Sequence, residues 1–211
     1  MRRKADLEFD QQYGVDTAGV FRPRSDQVVG RNWALGGNYQ AVHPAAFLEA
    51  MQTVNVAHKD FVFIDLGAGK GRTLLMAAAF PFKRIIGVEY CDELSQVARL
   101  NASRLPAWAK KCDTIEVVTA DAAEYVFPDD PLVIFMNHPF AEPVMAKVVE
   151  NVRDSLDRKS RHIIVAYLFP YFGSLWETTV FTKRSGTNLA VFDSQPSEPK
   201  NSPNSEGTFT E

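Results

Sequence analysis

Cysteine is scarce: only Cys91 and Cys112 occur in 211 residues. They show no CxxC or Cys/His spacing, so neither a disulfide framework nor a zinc site is indicated, and both read as buried or half-buried thiols. An excess of one charge is lacking as well. Lys and Arg number 23 against 26 Asp and Glu, for a formal net charge of -3, which creates no field to draw a polyanion and disfavours nucleic acid as a partner. No segment approaches the roughly 20 apolar residues that a membrane-spanning helix needs. The opening "MRRKADLEFDQQYG" carries basic residues with no apolar run behind them, so it does not read as a signal peptide. The expectation is a cytoplasmic protein with no membrane partner and no metal. No internal repeat is present.

What is there is a hydrophobic fraction of 45%, enough for one domain with a full core. Residues 1–43 are polar and glycine-rich, with aromatics at no clear period, and read as a segment laid over the domain. From residue 44 onward the chain alternates. A helix is expected at "HPAAFLEAMQTV", where apolar residues recur at helical spacing after Pro44. Then "FVFIDL", "RIIGVE", "TIEVVT", "PLVIFM" and "RHIIVAYLF" read as strands, and "GRTLLMAAAF", "DELSQVARLNASRL", "DAAEYVF" and "AEPVMAKVVENVRDSL" as helices between them. Such alternation implies an α/β fold, parallel pairing through right-handed crossovers, with helices on both faces. After Pro170, "WETTVFTKRSGTNLAVFDS" has two strand-like runs joined at Ser185, Gly186 and Thr187, a hairpin adding antiparallel strands to one edge. Residues 44–194 thus form the domain. Residues 195–211, rich in Ser, Pro, Asn and Glu, have almost nothing to bury and are expected to be a disordered tail.

In open parallel sheets, ligands bind beyond the carboxyl ends of the strands. The first strand ends in "DLGAGKG", in which glycines let a ligand approach the backbone without meeting a Cβ. A dinucleotide fingerprint would need glycine where Arg72 stands. A phosphate-cradling P-loop would need glycine at Ile64 and Ser or Thr at Gly71. Both phosphate readings fail on position. Glu89, ending the second strand, has two acceptor oxygens that match a vicinal diol. Asp121, after the third strand, can accept from an exocyclic amino group. Three strand-end acids without a phosphate clamp describe a nucleoside ligand that is not a nucleotide.

At this point "FIDLGAGKGRTLL", "IIGVEYCDEL", "TADAAEY" and "LVIFMNHPF" resemble, in order and spacing, the motifs of class I S-adenosylmethionine-dependent methyltransferases. The resemblance covers about residues 44–194 and implies a Rossmann-like doubly wound seven-stranded sheet of order 3-2-1-4-5-7-6. "FDQQYGVDTAG" and "DLGAGKGRTLL" also look like small bacterial methyltransferases, with some likeness to lysine methyltransferases of the Dot1-like and ATP-synthase c-subunit-modifying kind. By this resemblance the cofactor is S-adenosyl-L-methionine. Asp65 with Gly67, Ala68, Gly69 and Gly71 would hold its methionine end, Glu89 its ribose, Asp121 and the amide of Ala122 its adenine edge, and Tyr90 its adenine face. Tyr39 in the covering segment would reach the methionine carboxylate.

The fourth strand ends in "NHPF", which is similar to the (D/N/S)PP(Y/F/W) motif of class I N-methyltransferases at three of four positions. Asn137 would accept from the target nitrogen and Phe140 would wall the acceptor. His138 departs from the motif. It supplies a backbone carbonyl, or acts as a general base, or is only a loop residue. The leading expectation is methylation of a nitrogen in a protein side chain or a small molecule. An RNA or DNA base N-methyltransferase and a non-catalytic cofactor-binding module are the alternatives. A nicotinamide oxidoreductase is disfavoured by Arg72.

Overall fold

The computed structural model describes residues 2–177, 180–185 and 188–195. The expected disordered tail lies, from residue 196 on, outside the described residues, as do Gly186 and Thr187 of the expected hairpin turn.

Seven strands form one sheet: β1 (Val62–Leu66), β2 (Arg84–Glu89), β3 (Ile115–Thr119), β4 (Leu132–Asn137), β5 (Ile163–Leu168), β6 (Thr182–Ser185) and β7 (Leu189–Asp193). Their order is β3-β2-β1-β4-β5-β7-β6, as expected for a class I methyltransferase fold. The first five run parallel, and β7 pairs antiparallel with both β5 and β6. The central strands are β-branched and aromatic runs with no outward polar face, because both sides of the sheet are covered. Phe63, Val133, Phe135 and Ala166 bury into one layer, while Ile64, Leu66, Ile134 and Val165 bury into the other.

The helices are α1 (Arg2–Tyr13), α2 (Pro44–Val54), α3 (Arg72–Ala77), α4 (Asp92–Arg104) and α5 (Glu142–Arg158). In α2, Pro44 occupies the first turn and the His43 ring nitrogen accepts from the Ala45 amide at 3.2 Å, satisfying one of the helix's orphan donors. In α5, Val144, Val148, Val152 and Leu156 are buried on one side, the stripe that fixes it to the sheet.

One expectation needs correction. "DAAEYVF" is not a helix. It makes one turn at residues 122–124, in which the Asp121 carboxylate accepts from the Ala123 amide at 3.0 Å and the Asp121 carbonyl from the Glu124 amide. Phe127 is then buried in the core and Pro128 follows, so the chain leaves extended. The covering segment begins with α1, which is held by the buried Phe9 and by the pairing of Arg72 with Asp6 and Asp10.

Candidate active site

The parallel strands all deliver their carboxyl ends to one edge, and a cleft opens there between the glycine loop, Glu89, Asp121 and Asn137. After β1 the backbone turns through three glycines with positive φ, at Gly67, Gly69 and Gly71. Two of them are obligatory on space as well. A Cβ on Gly67 would run into the Pro139 ring, and one on Gly69 into the Tyr39 ring.

Glu89, at the end of β2, reaches back under this loop. One carboxylate oxygen accepts from the Gly69 amide at 2.8 Å and the other from the Cys91 amide at 2.9 Å. Burial pushes Glu89 up to about 7, although those two amides pull the other way. Asp65, next to the last residue of β1, is pushed up to about 8 by burial. The Thr73 side chain bonds to it and works against the shift, while the charge of Glu89 adds to it. Such upward shifts mark carboxylates that lack a compensating cation. The nearest basic side chains point elsewhere. Lys70 binds Asp16 at 2.9 Å and the Ala18 carbonyl at 3.1 Å. Arg72, 1% exposed, donates to Thr17 Oγ1 at 2.7 Å and pairs with Asp6 and Asp10. No Lys or Arg lines the cleft among the described residues.

The first 43 residues lie over this edge and bind three of its loops. The Val29 amide donates to the Tyr90 carbonyl at 2.8 Å. Asn32 Nδ2 donates to Asp121 at 2.7 Å. The Gly37 amide donates to the Pro139 carbonyl, and the Ala141 amide to the Leu35 carbonyl, each at 2.8 Å. Tyr39 spreads over the glycine loop, but its hydroxyl donates to the Thr17 carbonyl at 2.5 Å, so the hydroxyl is engaged within the cover. Gly36 lies against the Tyr90 hydroxyl.

Of the residues expected to bind cofactor, Tyr39, Gly67, Gly69, Glu89, Tyr90, Asp121 and Ala122 line the cleft. Asp65, Ala68 and Gly71 do not. Asn137, His138 and Phe140 line its far side, so one cleft joins both groups. Sequence reasoning missed Asn32, Gly37 and Asn38, which also line it. The one signal for them was the run of Asn and Gly in "GRNWALGGNYQ".

His138 has a φ of 44, a left-handed backbone that costs a non-glycine residue about 1–2 kcal/mol. Proline, fixed near −65°, does not reach it. "NHPF" is therefore a different turn from the double-proline motif. The imidazole Nδ1 lies 2.9 Å from the Tyr167 hydroxyl, and burial lowers the ring below the ordinary histidine range. Tyr171 meets the ring edge-on at 4.6 Å and Phe172 at 5.4 Å between centroids. A second hollow shares Asn38, Gln40, Asn137 and His138 with the cleft, and Asp6, His43, Phe169 and Tyr171 line its outer side. Both hollows thus touch Asn137 and His138, and Glu89 lines only the first. The arrangement can hold a cation-bearing nucleoside at one end and present a second molecule to it at the other.

Among the described residues, no helix is long and apolar enough to cross a membrane, and no three His, Cys, Asp or Glu side chains are grouped to hold a metal ion.

No curated protein matches the chain. Solved structures share its fold. TrmN from Thermus thermophilus matches with a TM-score of 0.54 at 18% identity, over 72% of this chain and 48% of that one, so the chain spans about half the length of TrmN. A ribosomal protein L11 methylase from Lactobacillus delbrueckii subsp. bulgaricus gives 0.52 at 14% identity, over 76% and 80%. An S-adenosylmethionine-dependent O-methyltransferase from Thermotoga maritima gives 0.51 at 14%, over 77% and 69%. The family described as "Histone methylation protein DOT1" matches residues 37–166. That match takes in the cover's Tyr39, the glycine loop, Glu89, Asp121 and "NHPF", and the chain belongs to this family, built on a class I S-adenosylmethionine-dependent methyltransferase fold.

Proposed function

We propose that this protein is an S-adenosylmethionine-dependent methyltransferase that methylates an amino group, preferentially on a protein side chain. One observation carries the reading. The cleft is built from a glycine loop over buried carboxylates, has no Lys or Arg lining it among the described residues, and ends at Asn137. Carboxylates short of a cation favour, as they ionise, a ligand with its own positive charge, and S-adenosylmethionine carries a sulfonium and an ammonium. The residues fit that cofactor. Glu89, whose carboxylate oxygens accept from the Gly69 and Cys91 amides, lines the cleft and would take the ribose hydroxyls. Asp121, with the Ala122 amide, would take the adenine edge, and Tyr90 the adenine face. The loop from Gly67 to Gly71 would take the methionine end, with Asp65 supporting it from beneath. When bound, the cofactor supplies a methyl group on a sulfonium sulfur, which leaves with the carbon–sulfur electron pair.

The chain's own task is alignment and exclusion of water. The Asn137 side-chain oxygen and the His138 carbonyl accept the hydrogens of the attacking amine and aim its lone pair. Phe140 walls the site and offers a ring face to the cation that develops on nitrogen. The family description, histone methylation, favours a protein acceptor over a small molecule. A nucleobase acceptor loses its main support, because the left-handed turn at His138 cannot be the double-proline motif.

The reading is tested by calorimetric titration with S-adenosylhomocysteine, together with transfer of tritium from labelled cofactor to core histones, poly-L-lysine and a cell lysate. One-to-one binding and base-stable label on protein are expected. Absence of binding to either S-adenosylmethionine or S-adenosylhomocysteine overturns it.

A further inference from the structure

A strained backbone at a functional loop persists only where its surroundings over-determine it. At His138 the surroundings come from β5 and the turn after it. Tyr167, fully buried, lies with its hydroxyl 2.9 Å from His138 Nδ1, and the two rings are near-parallel.

The phenol O–H has one proton to place, and among the described residues His138 Nδ1 is the one side-chain partner within hydrogen-bond distance of it. A buried tyrosine O–H finds an acceptor, and Nδ1 is the acceptor at hand. Nδ1 therefore receives, and in the neutral ring the remaining proton is on Nε2.

We propose that Tyr167 is a positioning residue: by donating to His138 Nδ1 it fixes the imidazole as the Nε2–H tautomer and holds the left-handed turn that aims Asn137 and the His138 carbonyl at the acceptor. The words "at the acceptor" rest on the methyl-transfer reading; the anchor itself does not. Two consequences follow. An imidazole held this way has no free basic nitrogen, so His138 is not the general base and the amine reaches the site already neutral. The histidine in "NHPF" also has a reason to be there: an anchored ring keeps a turn that proline cannot make.

The test compares wild type with Tyr167→Phe, which keeps the ring and removes the O–H. In nitrogen-15 NMR at fixed neutral pH, wild-type His138 shows one tautomer with Nδ1 unprotonated, and Tyr167→Phe shows a mixture. Hydrogen exchange at the Gly37 and Ala141 amides, which tie the cover to this turn, speeds up about tenfold in Tyr167→Phe. Adding His138→Gly to that variant brings exchange back toward wild type, because glycine takes a positive φ without strain. A wild-type ring protonated on Nδ1, or tautomer and exchange both unchanged in Tyr167→Phe, overturns the anchor. Affinity for S-adenosylhomocysteine stays within twofold in Tyr167→Phe. Failure of the wild type to bind that nucleoside overturns the methyl-transfer reading and the acceptor clause with it, while the tautomer judges the anchor separately.

Discussion

The two ends of the cleft are held by different means. The end at Glu89 rests on charge: buried carboxylates, pushed up by burial, tied to backbone amides and short of a cation. The end at Asn137 rests on shape: a left-handed residue, a ring anchored by one hydroxyl, and aromatic neighbours. A charge-built site waits for its ligand to be satisfied. A shape-built site is complete beforehand, which suits an end that must orient a neutral nucleophile.

Substitutions at the two ends should therefore separate cleanly. The largest effect is expected for Glu89→Gln, which replaces one acceptor oxygen with a donor facing backbone N–H groups. One lost charge-assisted bond and one backbone N–H left facing a donor, roughly 1.5 kcal/mol each, predict about a hundredfold loss of S-adenosylhomocysteine affinity by calorimetry. Asn137→Ala should do the reverse, leaving that affinity within twofold and lowering the transfer rate to core histones by about thirtyfold, in line with losing one oriented polar contact. A loss of cofactor affinity there would break the separation.

His138→Pro comes next. A backbone forced out of the left-handed region costs on the order of 1–3 kcal/mol, read as a lower urea midpoint, whereas His138→Asn, which tolerates that region, costs less than His138→Pro. Equal midpoints for the two variants would remove strain from the account.

The smallest effect is in pH. Asp65 and Glu89 have folded values raised above their unfolded ones, so the folded chain retains protons that the unfolded chain has already released. Stability without ligand therefore falls as pH rises from about 4 toward 8, then levels. A cationic ligand offsets the ionised form, so S-adenosylmethionine should raise the melting temperature by a few degrees more at pH 8 than at pH 6. An equal rise at both pH values would show that the acids do not meet its charge.

The glycine loop, Glu89 and Asp121 were legible in the sequence because each is at a strand end, and strand ends follow from apolar runs such as "FVFIDL" and "RIIGVE". The cover was not. Many of its contacts are polar pairs across long separations, such as Asn32 to Asp121 and Asp6 to Arg72, and such pairs leave no periodic trace. The turn at His138 was hidden for another reason. Its conformation depends on Tyr167, 29 positions away, so local propensity had no access to it. At Asp121 the helical pattern of "DAAEYVF" was real, but the burial of Phe127 overrode it.

Arg72 has a consequence for the order in which the molecule assembles. Its partners Thr17 and Asp6 lie 55 and 66 positions upstream, whereas β1, α3 and β2 are joined by short connections. Closing so long a loop brings no reward until its last contact forms, so the sheet and glycine turn come together first, with the guanidinium still hydrated, and α1 docks late. Although α1 precedes the sheet along the chain, it is among the last parts to find its place, and the cofactor end is finished only when it arrives.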